Sequence, residues 1–249
     1  MDYHIDSRAW EAILLYLRTV RGLHCKDAHK LRIFIEAIWF MVRTGSQWRL
    51  LPCYYGSWRA VHRKFKRWVD RDIWQGLMEF MKDPDMQSTM IDATIVRAHA
   101  CSAGYIKDQA EELALGRSKG GFTTKIHALV DGLGNPLKFT LTAGQRNDIT
   151  QAHTLTEGIE ETEVIADKGY DSNELVNELE GKKCSVTIPP KRNRKVKREY
   201  DVDNYKERHL IECFFGKIKH FRRIFSRFDK SPRVFLAFLH FVGALIWLR

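Results

Sequence analysis

The chain has 249 residues, 44% of them hydrophobic and 12% aromatic, enough for a substantial core in one large domain or a small one plus a medium one. Lys and Arg number 41 against 31 Asp and Glu, a formal charge of +10, which points to a polyanionic partner, either nucleic acid or an acidic membrane surface. The five cysteines are odd in number and never fall at metal-knuckle spacing, which excludes a disulfide framework or a zinc knuckle and reads as the reduced thiols of a cytosolic protein.

From the N-terminus, MDYHIDSRAW is polar and charged, so no secretory leader is expected. Asp6 or Ser7 is placed to cap a first helix with Trp10, Ile13, Leu14 and Leu17 on one side. A second helix is expected from about Ala28 to Arg43, with Leu31, Ile35, Ile38, Trp39 and Val42 on its apolar face. A loop with Gly45, Pro52 and Gly56 follows, and Ser57 is placed to cap a third helix. There Trp58, Val61, Phe65, Trp68 and Val69 make one stripe, while Arg59, His62, Arg63, Lys66 and Arg67 occupy most of the remaining surface. A basic amphipathic helix behind a helix and a turn suits a helix-turn-helix-like element touching DNA through Arg59, Arg63 and Arg67. A solvated face on a helical bundle is the plainer alternative.

The polar, proline-containing stretch 82–88 marks a boundary, giving a helical domain over residues 1–85 and a second domain over 86–249. Beyond it the period shifts toward strands, expected at Met90–Ala98, Lys125–Asp131, Leu137–Ala143, Val164–Asp167 and Cys184–Ile188. Residues 132–136, GLGNP, make a hairpin linker between the second and third. Helices are expected near Ile149–Ile159, Asn173–Glu180, Asn204–Phe225 and Pro232–Leu248. Val234–Leu248 is apolar apart from His240, yet its 15 positions fall short of the roughly 20 that cross a bilayer, so it reads as a buried helix. The order describes an α/β domain: a mixed five-stranded sheet flanked by helices, compatible with an RNase H-like fold among others.

Three acids stand out. Asp92 interrupts MIDATIVRA, a run of strand formers in which aspartate is disfavoured. Asp167 ends the apolar run Val164–Ala166, at the carboxyl end of a strand, where open α/β sheets place ligands; Asp171 is better placed to cap the helix beyond. In the helix from Asn204, at 100° per residue, Tyr205, Arg208, Glu212 and Lys219 share an arc of about 60°, with Gly216 on the same face. Glu207 points away from that stripe. Lys191–Arg198 has six basic residues in eight, and Lys191, Arg192, Arg194 and Lys195 are read as a mobile loop that folds against DNA. Three separated carboxylates suit two hard cations that activate the attacking oxygen and stabilise the leaving one in phosphodiester displacement. Oxygen ligands select Mg²⁺, with Mn²⁺ as substitute. No P-loop or GxGxxG is present, so no nucleotide cofactor is indicated.

The spacing Tyr205-x2-Arg208-x3-Glu212-x6-Lys219 matches the signature of DDE insertion-sequence transposases. The segments IDATIVRAH, GRSKGGFTTKIHALVDGLGNPL, VIADKGYDS and YKERHLIECFFGKIKHFRRIFSRFDK resemble the insertion-sequence-five family, and TGSQWRLLPCYYGSW resembles its small N-terminal helical domain. The resemblance implies an RNase H-like catalytic domain in which Asp92, Asp167 and Glu212 hold two Mg²⁺ ions and Tyr205, Arg208 and Lys219 contact DNA phosphates. It further implies double-stranded DNA partners (the element's terminal inverted repeats and target DNA) and a homodimer that brings two ends together. The place of action is then the bacterial cytoplasm, at the nucleoid. A DNA-binding regulator would need a damaged acid, and none is seen. Another RNase H-like nuclease leaves the Tyr-Arg-Glu-Lys stripe unexplained, and a membrane-surface protein lacks an amphipathic anchor.

Overall fold

The computed structural model describes residues 3–23, 25–102, 112–118 and 121–249, and its residues gather into two compact units. The first comprises Met1–Lys82, His99–Gly104 and Ile218–Arg249; the second comprises Asp83–Ala98 and Tyr105–Lys217. The C-terminal residues thus cluster with the N-terminal helices, whereas the sequence reading divides the chain once, at 85/86.

In the first unit, α1 (Ser7–Thr19) starts where the Asp6 carboxylate accepts from the Ala9 N–H at 2.9 Å, as expected of a capping aspartate. The helix α2 (Ala28–Thr44) is capped by Asp27 and stops at Gly45, whose φ of +66° is the left-handed turn that glycine adopts without strain. Residues 45–57 carry two short 3-10 turns before α3 (Trp58–Asp70). Ser57 occupies the N-cap position of α3 without a side-chain hydrogen bond, so the capping expected from it is absent. A helix missed in the sequence, α4 (Ile73–Met81), follows a tight reversal in which Asp72 takes φ +51°.

Aromatic rings fill this unit's core. Phe65 of α3 stacks on Phe238 at 4.6 Å, and Trp74 of α4 meets Phe65 at 5.3 Å and Phe241 edge-on at 5.3 Å. These rings carry area burial plus oriented contacts worth about 0.5–1.5 kcal/mol each. Charged side chains are also buried in this unit with partners. Glu36 accepts the backbone N–H groups of His4 and Ile5, and Arg223 forks onto Asp229 at 2.9 and 2.8 Å.

The second unit is a mixed sheet. Its strands are β1 (Ser88–Ala98), the short β2 (Gly116–Ser118), β3 (Gly121–Asp131), β4 (Pro136–Ala143), β5 (Glu163–Ala166) and β6 (Ser185–Thr187). The order β2-β3-β1-β5-β6 has β4 also paired to β3; β1–β3 and β3–β4 run antiparallel, β1–β5 and β5–β6 parallel. All five expected strands are present, and β2 is an addition. The β3–β4 hairpin is organised by the fully buried Asp131, whose carboxylate accepts the N–H groups of Leu133 and Asn135.

A 3-10 turn (Asp148–Gln151) leads into α5 (Ala152–Leu155), in place of the longer helix expected there, and α6 (Asn173–Gly181) joins β5 to β6. The helix expected over 204–225 is three pieces: α7 (Val202–Lys206), α8 (His209–Lys219) and α9 (Arg222–Phe225). Around 207–210 the backbone bonds run i→i−3 (Glu207 to Asn204, Arg208 to Tyr205, Leu210 to Glu207), which tightens the winding and breaks the 100° count. In the first unit, α9 is followed by the two-residue β7 (Ser226–Arg227) and by α10 (Pro232–Trp247), mostly buried as expected of a core helix. Among the described residues no helix is long and apolar enough to cross a membrane.

Candidate active site

Parallel pairing of β1 with β5 sets Ile91 beside Ala166, so the next residues, Asp92 and Asp167, follow side by side, with strands spaced about 4.8 Å apart. The acids therefore meet through sheet register, although they lie far apart in sequence. Across β1, Asp92 opposes Ala128 of β3, which opposes Phe139 of β4; the Phe139 ring stacks on Phe214 of α8 at 5.9 Å. Cross-strand partners share a face, so α8 packs over the face that carries Asp92.

Arg208, at the break between α7 and α8, completes the arrangement. Its guanidinium donates to Asp92 Oδ2 at 2.7 Å and also to Glu212 Oε1, four residues on along the helix. The Tyr205 ring lies 5.9 Å from the same guanidinium. Four residues singled out in the sequence (Asp92, Tyr205, Arg208 and Glu212) thus form one cluster. Lys219 is the last residue of α8, about two turns beyond Glu212. No side chain crowds Gly216: a Cβ built there meets nothing within 4 Å.

Asp92 is an uncomfortable anion. Its side chain is 18% exposed, and burial pushes its carboxyl up to about 6; the Ala93 N–H and Arg208 pull the other way, and Asp167 and Asp148 add to the push. Asp167 accepts the Gly169 N–H at 2.7 Å, and a Cβ on Gly169 would stand 2.7 Å from that oxygen, so a larger residue there would displace the Asp167 carboxylate. Beside them Tyr170 is fully buried, with no partner for its hydroxyl among the described residues; burial foremost, and then Asp148, Asp92 and Asp167, hold the phenol protonated.

Asp171 departs from the sequence reading. It does not cap α6, whose N-cap is Ser172; Asp167 instead performs the local capping, of the 3-10 turn Lys168–Tyr170. Asp171 accepts the Lys191 N–H at 2.8 Å, Arg194 Nε at 2.8 Å and Arg198 at 2.8 Å. Burial works against its charge, yet these bonds and both arginines hold its carboxyl below the usual range. The basic segment is therefore partly tied down: Arg194 and Arg198 are committed to Asp171, while Arg192 and Lys195 remain exposed. In the first unit, Arg59, Arg63 and Arg67 are all exposed on α3.

Among the described residues, no three His, Cys, Asp or Glu side chains are grouped closely enough to hold a metal ion. The donors are nonetheless of the right kind, all carboxylate oxygens, with one of them buried at a cost to its charge. What stands between Asp92 and Glu212 here is itself a cation, the Arg208 guanidinium.

With this geometry, the comparisons are decisive. The family described as "Transposase DDE domain" matches residues 83–247. The chain belongs to the DDE transposases. Residues 5–78 match a second family, described as a putative transposase of the IS4/5 family. A putative transposase for insertion sequence element IS6501 from Brucella ovis is 41% identical over 129 residues, 51% of this chain and 99% of that protein. A putative transposase for IS402 from Burkholderia cepacia is 29% identical over 135 residues, 49% of this chain and 62% of that protein. Among solved structures, the piggyBac transposase synaptic complex with hairpin DNA aligns with a TM-score of 0.47 at 10% identity, over 98% of this chain and 72% of that one. The mixed sheet of the second unit is the RNase H-like sheet of the DDE domain.

Proposed function

We propose that this transposase binds the terminal inverted repeats of its insertion sequence, cleaves a strand to free a 3′-hydroxyl, and joins that end to target DNA. The observation that carries this reading is the placing of Asp92, on β1, and Asp167, just past the end of the parallel β5, together with Glu212, joined to Asp92 through Arg208. In this reading Asp92, Asp167 and Glu212 are the catalytic acids and hold two Mg²⁺ ions, for which Mn²⁺ can substitute. Bound metal lowers the cost of forming the attacking oxyanion and of releasing the leaving oxygen. The chain supplies the rest. The sheet register fixes two carboxylates relative to each other, and α8 delivers the third. Tyr205, Arg208 and Lys219 orient backbone phosphates at the cleaved end.

Binding is shared between the units. Arg59, Arg63 and Arg67 of α3 and the exposed Lys191, Arg192 and Lys195 contribute phosphate contacts, with Arg194 acting mainly through Asp171. The helical residues 1–85 serve end recognition and 86–249 catalysis. Two copies pair the element's two ends, and the protein acts at DNA in the cytoplasm.

The test is Mg²⁺-dependent nicking of a labelled duplex carrying the element's terminal repeat, with wild type against Glu212→Gln. Site-specific release of a 3′-hydroxyl by wild type alone is the expected result. Binding without cutting by both proteins, with Mn²⁺ also tried, would instead make the chain an end-binding regulator.

A further inference from the structure

The carboxylates read above as metal ligands are held by an internal cation. Arg208 reaches Asp92 of β1 with one nitrogen and Glu212 of α8 with another. It thereby cross-links the two acids that a divalent ion would share. A guanidinium in that position and a metal bridging the same oxygens exclude each other.

We propose that Arg208 is an exchangeable counter-cation for the acidic centre: it holds Asp92 and Glu212 until a DNA phosphate draws it away, so duplex engagement opens the site to metal. The inference rests on the reading of these acids as metal ligands.

Three features support the exchange. Arg208 lies at the tight break between α7 and α8, where its own N–H is bonded i→i−3 to Tyr205, so no long helix locks its backbone. Its side chain is 21% exposed and Glu212 is 56% exposed, so a ligand arriving from solvent can reach the pair, and such pairs are individually weak. A guanidinium also forks onto phosphate with the geometry it uses for carboxylate, so the departing bonds are replaced in kind. Without Arg208, the half-buried Asp92 would face the like charges of Asp167 and Asp148 without its guanidinium partner. That explains why an arginine occupies the centre before metal does.

Linkage makes the device measurable without turnover. If duplex and metal each favour the displaced Arg208, each tightens the other by the same factor. The experiment titrates Mn²⁺ into the protein and follows free Mn²⁺ by electron paramagnetic resonance. It is run with and without a short duplex, after subtracting Mn²⁺ held by duplex alone, on wild type, Arg208→Gln, Arg208→Lys and Asp92→Asn. Duplex should tighten Mn²⁺ binding to wild type by about tenfold. Arg208→Gln should bind Mn²⁺ about tenfold more tightly than wild type without duplex and gain little on adding it, with Arg208→Lys between them. Equal Mn²⁺ affinity in wild type and Arg208→Gln, or no tightening of wild type by duplex, overturns the proposal. The second comparison stands even if the variant folds poorly. Asp92→Asn separates this failure from the deeper one: unchanged Mn²⁺ binding in that variant would overturn the metal-ligand reading itself.

Discussion

Asp92 and Asp171 are both aspartates that the fold withdraws from water, and their surroundings treat them in opposite ways. Asp171, 2% exposed at its side chain, accepts a backbone N–H and two arginines and is stabilised as an anion. Asp92, 18% exposed, has the N–H of its own neighbour and a single arginine that it shares with Glu212, and burial raises its pKa to about 6. A structural acid is saturated with donors. Asp92, which we propose to be catalytic, accepts fewer donors among the described residues, at a cost the rest of the fold must offset.

The comparison breaks most directly in activity. Asp92→Asn should lower strand cleavage by about a hundredfold or more while the protein stays folded. Nicking at the wild-type rate would remove Asp92 from the chemistry. For Asp171→Asn the loss should fall on stability, because it strands two partly exposed arginines. Allowing for that exposure, a cost of about 2 kcal/mol is expected, read as a lower urea midpoint; an unchanged midpoint would contradict the anchoring role.

A pH effect extends the contrast to buried bases, one in each unit. His127 is fully buried and His240 nearly so; burial pushes each down to about 4, and for His127 Asp148 opposes and Lys125 reinforces that shift. Unfolding returns each to about 6.5, so the unfolded chain binds more protons between those values. The stability they provide is complete above about pH 6.5 and is lost as pH falls toward 4, by at most roughly 3 kcal/mol each. Urea midpoints at pH 7 and pH 5 should differ less in His127→Gln and His240→Gln than in wild type. An equally steep loss in both variants would place the acid sensitivity elsewhere.

The smallest expected effect concerns the exposed face of α3. Arg63→Ala or Arg67→Ala should weaken end binding modestly and reduce the slope of log K against log salt by about 0.9 for each phosphate left without its arginine. A slope equal to that of wild type would argue that α3 does not touch DNA.

Much of the second unit was legible in the sequence. An aspartate among strand formers and another closing an apolar run located Asp92 and Asp167, because strands tolerate such residues poorly without a reason. The stripe of Tyr205, Arg208 and Glu212 also came together, although the 100° count behind it is broken by i→i−3 bonds at 207–210. What stayed hidden depends on long-range partners. Nothing local at Asp171 announces that Arg194 and Arg198, more than twenty residues on, will close over it. The basic run therefore read as a uniform mobile loop when two of its arginines are structural. The grouping of Ile218–Arg249 with the N-terminal helices is likewise a matter of which apolar faces meet in space, and the α4 reversal turns on a left-handed Asp72, a conformation that aspartate tolerates but does not by itself announce.

The most direct test uses the two aspartates of VIADKGYDS, close together in sequence but assigned different work. Wild type, Asp167→Asn and Asp171→Asn, adjusted to equal folded fraction, would be given Mg²⁺ and a duplex bearing the terminal repeat. Wild type and Asp171→Asn should release the 3′-hydroxyl and Asp167→Asn should not; cleavage by Asp167→Asn at the wild-type rate would contradict the assignment of this site as the catalytic centre.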